Sequence, residues 1–337
     1  MTNPAKGASL GGLLRRPETG SFFGLVAVFV FFAVYGGADF VSARGAASWL
    51  NVAGGLGIVA IPVGLLMIVG ELDISIGSLI PAGSLTIAII SGHFHVSILV
   101  GIFAALALGA VIGFVNGVIV VQTAVPSFIV TLGTLFAVAG LTLGLTVILT
   151  GTTSVAIKAP AEAKFLLGHF IGGAFQVTIF WWIAAALIFG FILHFSRYGN
   201  WIFAMGGDRV SARNAGIPTE RMTIILFMCS GVSATFLGVS QAILYNSAQV
   251  SAGQSYIFNA IISVVVGGVL LTGGYGSVFG IVLGTLTFAI VNQGIYYTGF
   301  DANWASLIIG VLLLLAVLMN NTFRKLALSY AHVKGKP

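Results

Sequence analysis

Apolar runs of membrane-crossing length follow one another from residue 22 to residue 321, with almost no charge inside them. They lie at 22–38, 51–69, 77–91, 97–121, 127–149, 177–195, 222–244, 258–272, 277–298 and 304–321. A helix crosses a hydrocarbon core of roughly 30 Å with about 20 apolar residues. Lipid offers no partner to a backbone amide, so a spanning chain is either helical or a closed barrel. Barrel strands alternate in polarity over about 10 residues, and these runs are apolar on every side. Charged residues make up 7% of the chain and mean hydropathy is +1.10, against roughly 25% charged in a soluble domain. The 46 glycines suit helices whose backbones approach closely. The pattern predicts an all-α polytopic membrane protein of about 10 transmembrane helices.

A long polar, basic interruption runs over 196–222 (SRYGNWIFAMGGDRVSARNAGIPTERM) and divides the apolar mass near its middle. It carries Arg197, Arg209, Arg213 and Arg221. Lys6, Arg15 and Arg16 precede the first run, and Arg324, Lys325, Lys334 and Lys336 follow the last. Basic flanks mark the cytoplasmic side, and an even number of crossings returns a chain to the side it left. Both termini and the central loop are therefore expected in the cytoplasm, with 150–176, carrying Lys158, Glu162 and Lys164, outside. The net charge of +6 thus reads as orientation, not as a nucleic-acid surface. Three parts are expected: a tail over 1–21, one transmembrane domain over 22–321 with its cytoplasmic loop at 196–221, and a tail over 322–337. Arg15 and Arg16 before an apolar run imitate a signal peptide, but no small-residue cleavage site stands out and many spans follow. The first run is read as a retained helix.

Gly109, Gly113 and Gly117 form a stripe of period four, and Gly276, Gly280 and Gly284 form another. Each would line one helix face. Asn116 lies within the first and Asn292 beyond the second, a hint of internal duplication of the kind many transporters have. Between two runs with almost no spacer stand Glu71 and Asp73, in GELDISIGS over 70–78. Two readings stay open. At an interface these acids would cap the following helix. If the helices are broken within the membrane, they would face a polar cavity and touch solute or gate.

Asn116, Ser127, Thr131, Thr134, Asn259, Ser263, Asn292 and Gln293 lie inside apolar runs. They could line a path for a polyhydroxylated solute, or simply bond helix to helix for about 0.6 kcal/mol apiece. Trp181, Trp182 and Trp304 fall near span ends, where anchoring at the interface is the default. His93 and His95 make a lone HxH, and Cys229 is the single cysteine, so no metal site or disulfide is expected. There is no G-x-x-x-x-G-K-[ST] loop to bind ATP. No serine–histidine–acid or paired-histidine arrangement is evident either. The chain reads as a transport subunit with no catalytic, cofactor-binding or metal residue and no ATPase site of its own.

Four blocks resemble the permease subunits of ribose/xylose-type ABC sugar importers, in the broad group of the branched-chain amino-acid permeases. They are 70–78, then Asn116-Gly117 with VPSFIVTLGT over 125–134, then YGNWIFAMGGDRVSARNAGI over 198–217, and finally 267–277 with Asn292 to Gly294. The NG…PSFIVTLGT match is highly specific, and the blocks keep the family order. Glu71 stands where that family usually has glycine, Leu270-Leu271 replaces a more polar pair, and Tyr275 takes a position often basic. These departures touch the choice of solute, not the transporter class.

The resemblance implies a type II-like ABC importer permease in a bacterial inner membrane, surrounded by lipid. Two permease chains, identical or related, would form the pathway for a ribose- or xylose-like sugar. Two separate ATPase subunits would work beneath them and a periplasmic sugar-binding protein above. It also implies a coupling helix built from Gly206, Gly207, Asp208, Arg209, Ala212, Arg213, Ala215 and Gly216. In it the small residues would allow close approach and Arg209 and Arg213 would meet acids of the ATPase. Glu71, Asp73, Ser75, Asn116, Ser127, Thr131 and Asn292 would line the path or gate. The rival is an ion-coupled secondary transporter of a small polar solute, for which so few membrane carboxylates are poor material.

Overall fold

The long apolar runs become long helices. A computed structural model describes residues 17–299 except 124, together with isolated positions from 301 to 318. Its helices are α1 (Pro17–Tyr35), a short α2 (Gly37–Val41), α3 (Ala43–Ile68), α4 (Ile76–Ile87), α5 (Ile98–Gln122) and α6 (Ser127–Thr150). After these come α7 (Ala161–Leu167), α8 (Thr178–Phe195), α9 (Arg197–Gly207), α10 (Arg209–Asn214), α11 (Thr219–Tyr245), α12 (Gln254–Val266) and α13 (Val278–Gly294). A wider π-turn over Ala88–His93 prolongs α4, and a 3-10 turn over Ile295–Tyr297 prolongs α13. Two small antiparallel pairs stand apart: β1 (Ser154–Ala156) with β4 (Ser247–Gln249), and β2 (Phe170–Ile171) with β3 (Phe175–Gln176).

Among the described residues, eight helices are long and apolar enough to cross a membrane. They match the expected runs apart from two. The run at 304–321 lies outside the described residues except for scattered positions. The run at 258–272 is not a span. It is α12, of 13 residues, or about 20 Å at 1.5 Å per residue, followed by an irregular stretch over 267–277. Hydropathy could not separate the two, because Gly267, Gly268, Val269, Leu270 and Leu271 are apolar in composition while their backbone leaves the helix. Gly268, Gly273 and Gly274 take φ of +90°, +82° and +76°, values that side-chain-bearing residues rarely adopt.

Burial sets the layout. The α3 window is 89% buried and that of α6 11%, so α3 is the central post and α6 a peripheral one. α5 lies along α11 with Gly109, Gly113 and Gly117 against the backbone near Gly231, Phe227 and Ile224. In the second stripe only two glycines act this way, Gly280 against Gly267 and Gly284 against Ser263. Gly276 stands before the helix, where Ser277 caps α13 by accepting the Gly280 N–H at 2.9 Å. Trp182, expected at an interface, is buried with its indole closed onto Gly57 between α8 and α3. Trp181 stays exposed and donates to the Leu166 carbonyl at 2.8 Å.

Two helices begin inside the bundle. Tyr256, at the start of α12, lies against Gly55, about 20 Å along α3 from Ile68 at 1.5 Å per residue. Gly77, at the start of α4, packs on Ile257, and Gly253 on the Gly77 carbonyl. The first turns of α4 and α12 thus meet deep in the protein, each reached by a non-helical approach, 70–75 and 246–253. Both approaches are therefore breaks between helices inside the bundle.

Candidate functional site: a buried polar break tied to the central loop

Gly70 turns the chain out of α3 with φ of +88°, and 71–74 runs without regular structure to α4. Irregular chain beside helices leaves amides unpaired, and buried amides must find partners. Hydroxyls of α6 supply them. The Leu72 N–H donates to Ser127 Oγ at 3.0 Å and the Ile74 N–H to Thr131 Oγ1 at 3.3 Å. Asp73 Oδ1 accepts from the Ser75 N–H at 2.9 Å and the Ser75 hydroxyl at 2.5 Å. Asn116 Nδ2 of α5 donates to Ser75 Oγ at 3.1 Å, and Thr134 Oγ1 donates to Asn116 Oδ1 at 2.6 Å. Asp73, Ser75, Asn116, Ser127 and Thr131 therefore form one buried network with Thr134 at its edge. Asn292 is not part of it: on α13 it accepts from Gln293 at 2.8 Å, and among the described residues it shares no hydrogen bond with the network.

Asp73 uses its two oxygens differently. Oδ1 holds the amide and hydroxyl of Ser75, the residue just before α4. Oδ2 is buried with Ser230 Oγ of α11 as its neighbour; the two face each other short of full hydrogen-bond geometry, and neither has another partner among the described residues. A desolvated oxygen with no partner costs free energy, so this pair is the part of the network most receptive to a new hydrogen bond.

The central loop folds into two helices. Ser196 caps α9 by accepting the Tyr198 N–H, and Asp208 caps α10 by accepting the Ser211 N–H at 2.7 Å. The Ser211 N–H, aided by that of Val210, holds the Asp208 carboxyl below its ordinary range. Gly216, at φ +83°, ends the turn after α10. Arg209 and Arg213, expected to reach toward another protein, have internal partners. Arg209 Nη1 pairs with Glu71 Oε1 at 2.5 Å while Nη2 donates to Thr223 Oγ1 at 3.0 Å. Arg213 pairs with Glu220. Ala212 faces the body of the protein and is buried, whereas Ala215, Gly216 and Gly207 are exposed. Val210 projects outward at 70% exposure, an apolar knob on a polar segment.

Backbone alone knots three segments beneath the break. The Gly274 N–H donates to the Ile68 carbonyl at 2.8 Å. Gly206 is pressed against the same carbonyl and against Gly274, leaving no room for a Cβ. Elsewhere, an open groove of about 520 Å³ between α8 and α13 is walled by Trp182, Leu187, Phe191, Phe279 and Val282, with His194 along it. It offers too few hydrogen-bonding groups for a polyhydroxylated solute.

Ser230, Thr223 and Val210 were missed in the sequence. Thr223 and Ser230 stand two helical turns apart on one face, which is a signal, but lone hydroxyls in apolar helices commonly bond their own backbone. Val210 had none, because an isolated valine says nothing about which way it points.

A broken-helix bundle with a buried polar break is the build of a membrane permease. The family described as branched-chain amino acid transport system / permease component matches residues 45–317, and the chain belongs to it. It is 34% identical over 266 residues to the ribose import permease protein RbsC of Escherichia coli K12, covering 78% of this chain and 81% of that one. The galactose/methyl galactoside import permease protein MglC of Haemophilus influenzae is 33% identical over 230 residues, 67% of this chain and 68% of that one. The inner membrane ABC transporter permease protein YjfF of E. coli K12 is 32% identical over 271 residues, 78% and 79% of the two chains. No solved structure matches.

Proposed function

We propose that the chain forms the pathway of an ATP-driven, binding-protein-dependent importer of a monosaccharide in a bacterial inner membrane. The observation that carries this reading is the 70–75 break, hung on the hydroxyls of α6 and bonded directly to the central loop. An exchangeable hydroxyl network suits a sugar, whose hydroxyls can replace the same bonds. The relatives named for ribose and galactose support that solute class. Separate ATPase subunits receive α10, with Val210, Ala215 and Gly216 outward, and a second permease chain completes the pathway. On this reading both termini and the loop are cytoplasmic. Closure of the ATPases drives the break between two states that differ in which side reaches solute.

Reconstitution of the chain with its ATPase and binding protein tests this. Uptake of labelled ribose, xylose or galactose is expected to need ATP and the binding protein and to ignore ionophores. Accumulation by the chain alone, driven by an ion gradient, would establish the secondary-transporter reading instead. Val210→Glu tests the docking face without disturbing the fold, since Val210 is exposed. It should weaken co-purification of the ATPase and lower uptake roughly tenfold, a loss of about 1.4 kcal/mol of coupling.

A further inference from the structure

We infer that Arg209 and Glu71 are the strut through which α10 moves the break; this rests on the importer reading above. α10 is a short helix that packs on the body through one small buried residue, Ala212. Behind it is Asp208, in extended conformation, and ahead of it are Gly216 with its positive φ and Pro218. Backbone at both ends can swivel, so a displacement of α10 reaches the membrane body mainly through side chains. The first residue of α10 reaches furthest: its guanidinium holds Glu71 on the break and Thr223 on α11 at once.

Glu71 is the nearly buried partner, its side chain 10% exposed against 38% for Arg209. A carboxylate there cannot let go of its cation and remain where it is, because a buried unpaired charge is costly. Its own amide is fixed, the Glu71 N–H donating to the Leu66 carbonyl at 2.9 Å, but the residues that follow are held by hydroxyls. Leu72 and Ile74 are held by the Ser127 and Thr131 hydroxyls and not by a backbone ladder, so a pull on Glu71 changes which hydroxyls they meet. Two residues on, Asp73 and Ser230 hold the unpaired oxygens. The path from α10 to the polar network is then Arg209, Glu71, the 72–74 backbone, Asp73. Arg209 and Glu71 are positioning residues; neither needs to touch solute.

The test uses the full complex in proteoliposomes and reads solute transported per ATP hydrolysed, together with thermal stability and recovery of the ATPase on purification. Glu71→Gln and Arg209→Gln should each lower transport per ATP about tenfold while the ATPase still co-purifies and hydrolysis falls far less. The double variant Glu71→Gln/Arg209→Gln leaves no unmatched charge and should be no worse than either single one, the signature of a coupled pair. The swap Glu71→Arg/Arg209→Glu should recover part of the ratio. Loss of uptake and hydrolysis in equal proportion, or additive losses in the double variant, would overturn the strut. Failure of the importer reading looks different: the unaltered chain would then neither recover the ATPase nor need ATP.

Discussion

The protein interrupts its helices twice near one place, over 70–75 and over 267–277, and the two interruptions are built from opposite materials. The first is held largely by side chains: its own Asp73 and Ser75, the hydroxyls of α6 and the Asn116 amide of α5. The second is held by backbone, with glycines at positive φ and the Gly274 amide on the Ile68 carbonyl. Side-chain hydrogen bonds can exchange partners at small cost because each group rotates. Backbone packed on backbone has no such freedom. The first break is therefore suited to meet solute or change register, and the second to act as a pivot that keeps α3, α9 and the 267–277 stretch together.

The strongest test of that contrast is at the pivot. Gly206→Val drives a side chain into the Ile68 carbonyl and should cost about 3 kcal/mol, the upper end for overpacking, seen as a lower melting temperature or loss of folded protein. Gly207→Val is its control: nothing lies within 4 Å of a Cβ there, so stability should hold. If both variants behave alike, the knot is not a pivot.

Next comes Asp73→Asn, which keeps Oδ1 as acceptor and replaces Oδ2 with an amide nitrogen. Uptake is expected to fall at least tenfold, about 1.4 kcal/mol in the barrier, with a smaller change in melting temperature. Full uptake with lowered stability would make Asp73 a helix cap and nothing more. Asn116→Ala removes the bridge between Ser75 and Thr134 and should cost about 1–3 kcal/mol, as for a buried polar group left unpaired. Thr134→Val should cost less, since Val130 and not a distant helix takes the other bond of that hydroxyl.

The smallest effect is expected at Asn292→Ala, within about 0.5 kcal/mol in stability and without change in uptake. A loss of transport there would extend the pathway to α13. Protons should not matter on the loop side. Asp208 titrates below its usual range, so its cap is complete above that range and lost only as acid brings pH down through the lowered value. Coupling around neutral pH should not vary on its account.

Much of this was legible beforehand. The long crossings follow from apolar length, since lipid admits no other backbone solution. The residues of the NG…PSFIVTLGT block that hold the 72–75 segment, Asn116, Ser127 and Thr131, were visible as polar side chains within apolar runs. What misled was α12, because glycine and valine look equally apolar whether the backbone is helical or not. Arg209 misled too: a cation in a polar loop looks free until its neighbours in space are known.

Composition and order of residues by themselves determined that this chain lives in a bilayer, where its helices run, and which short polar stretches break the pattern. Tertiary structure alone decided that the 70–75 acids reach α10, that Ser230 faces Asp73 without a bond, and that Asn292 stands apart. The physical reason is range. Transfer from water to lipid acts on each residue according to its own chemistry, whereas a hydrogen bond or ion pair exists only when two groups, here 138 positions apart for Arg209 and Glu71, arrive within 3 Å or so of each other.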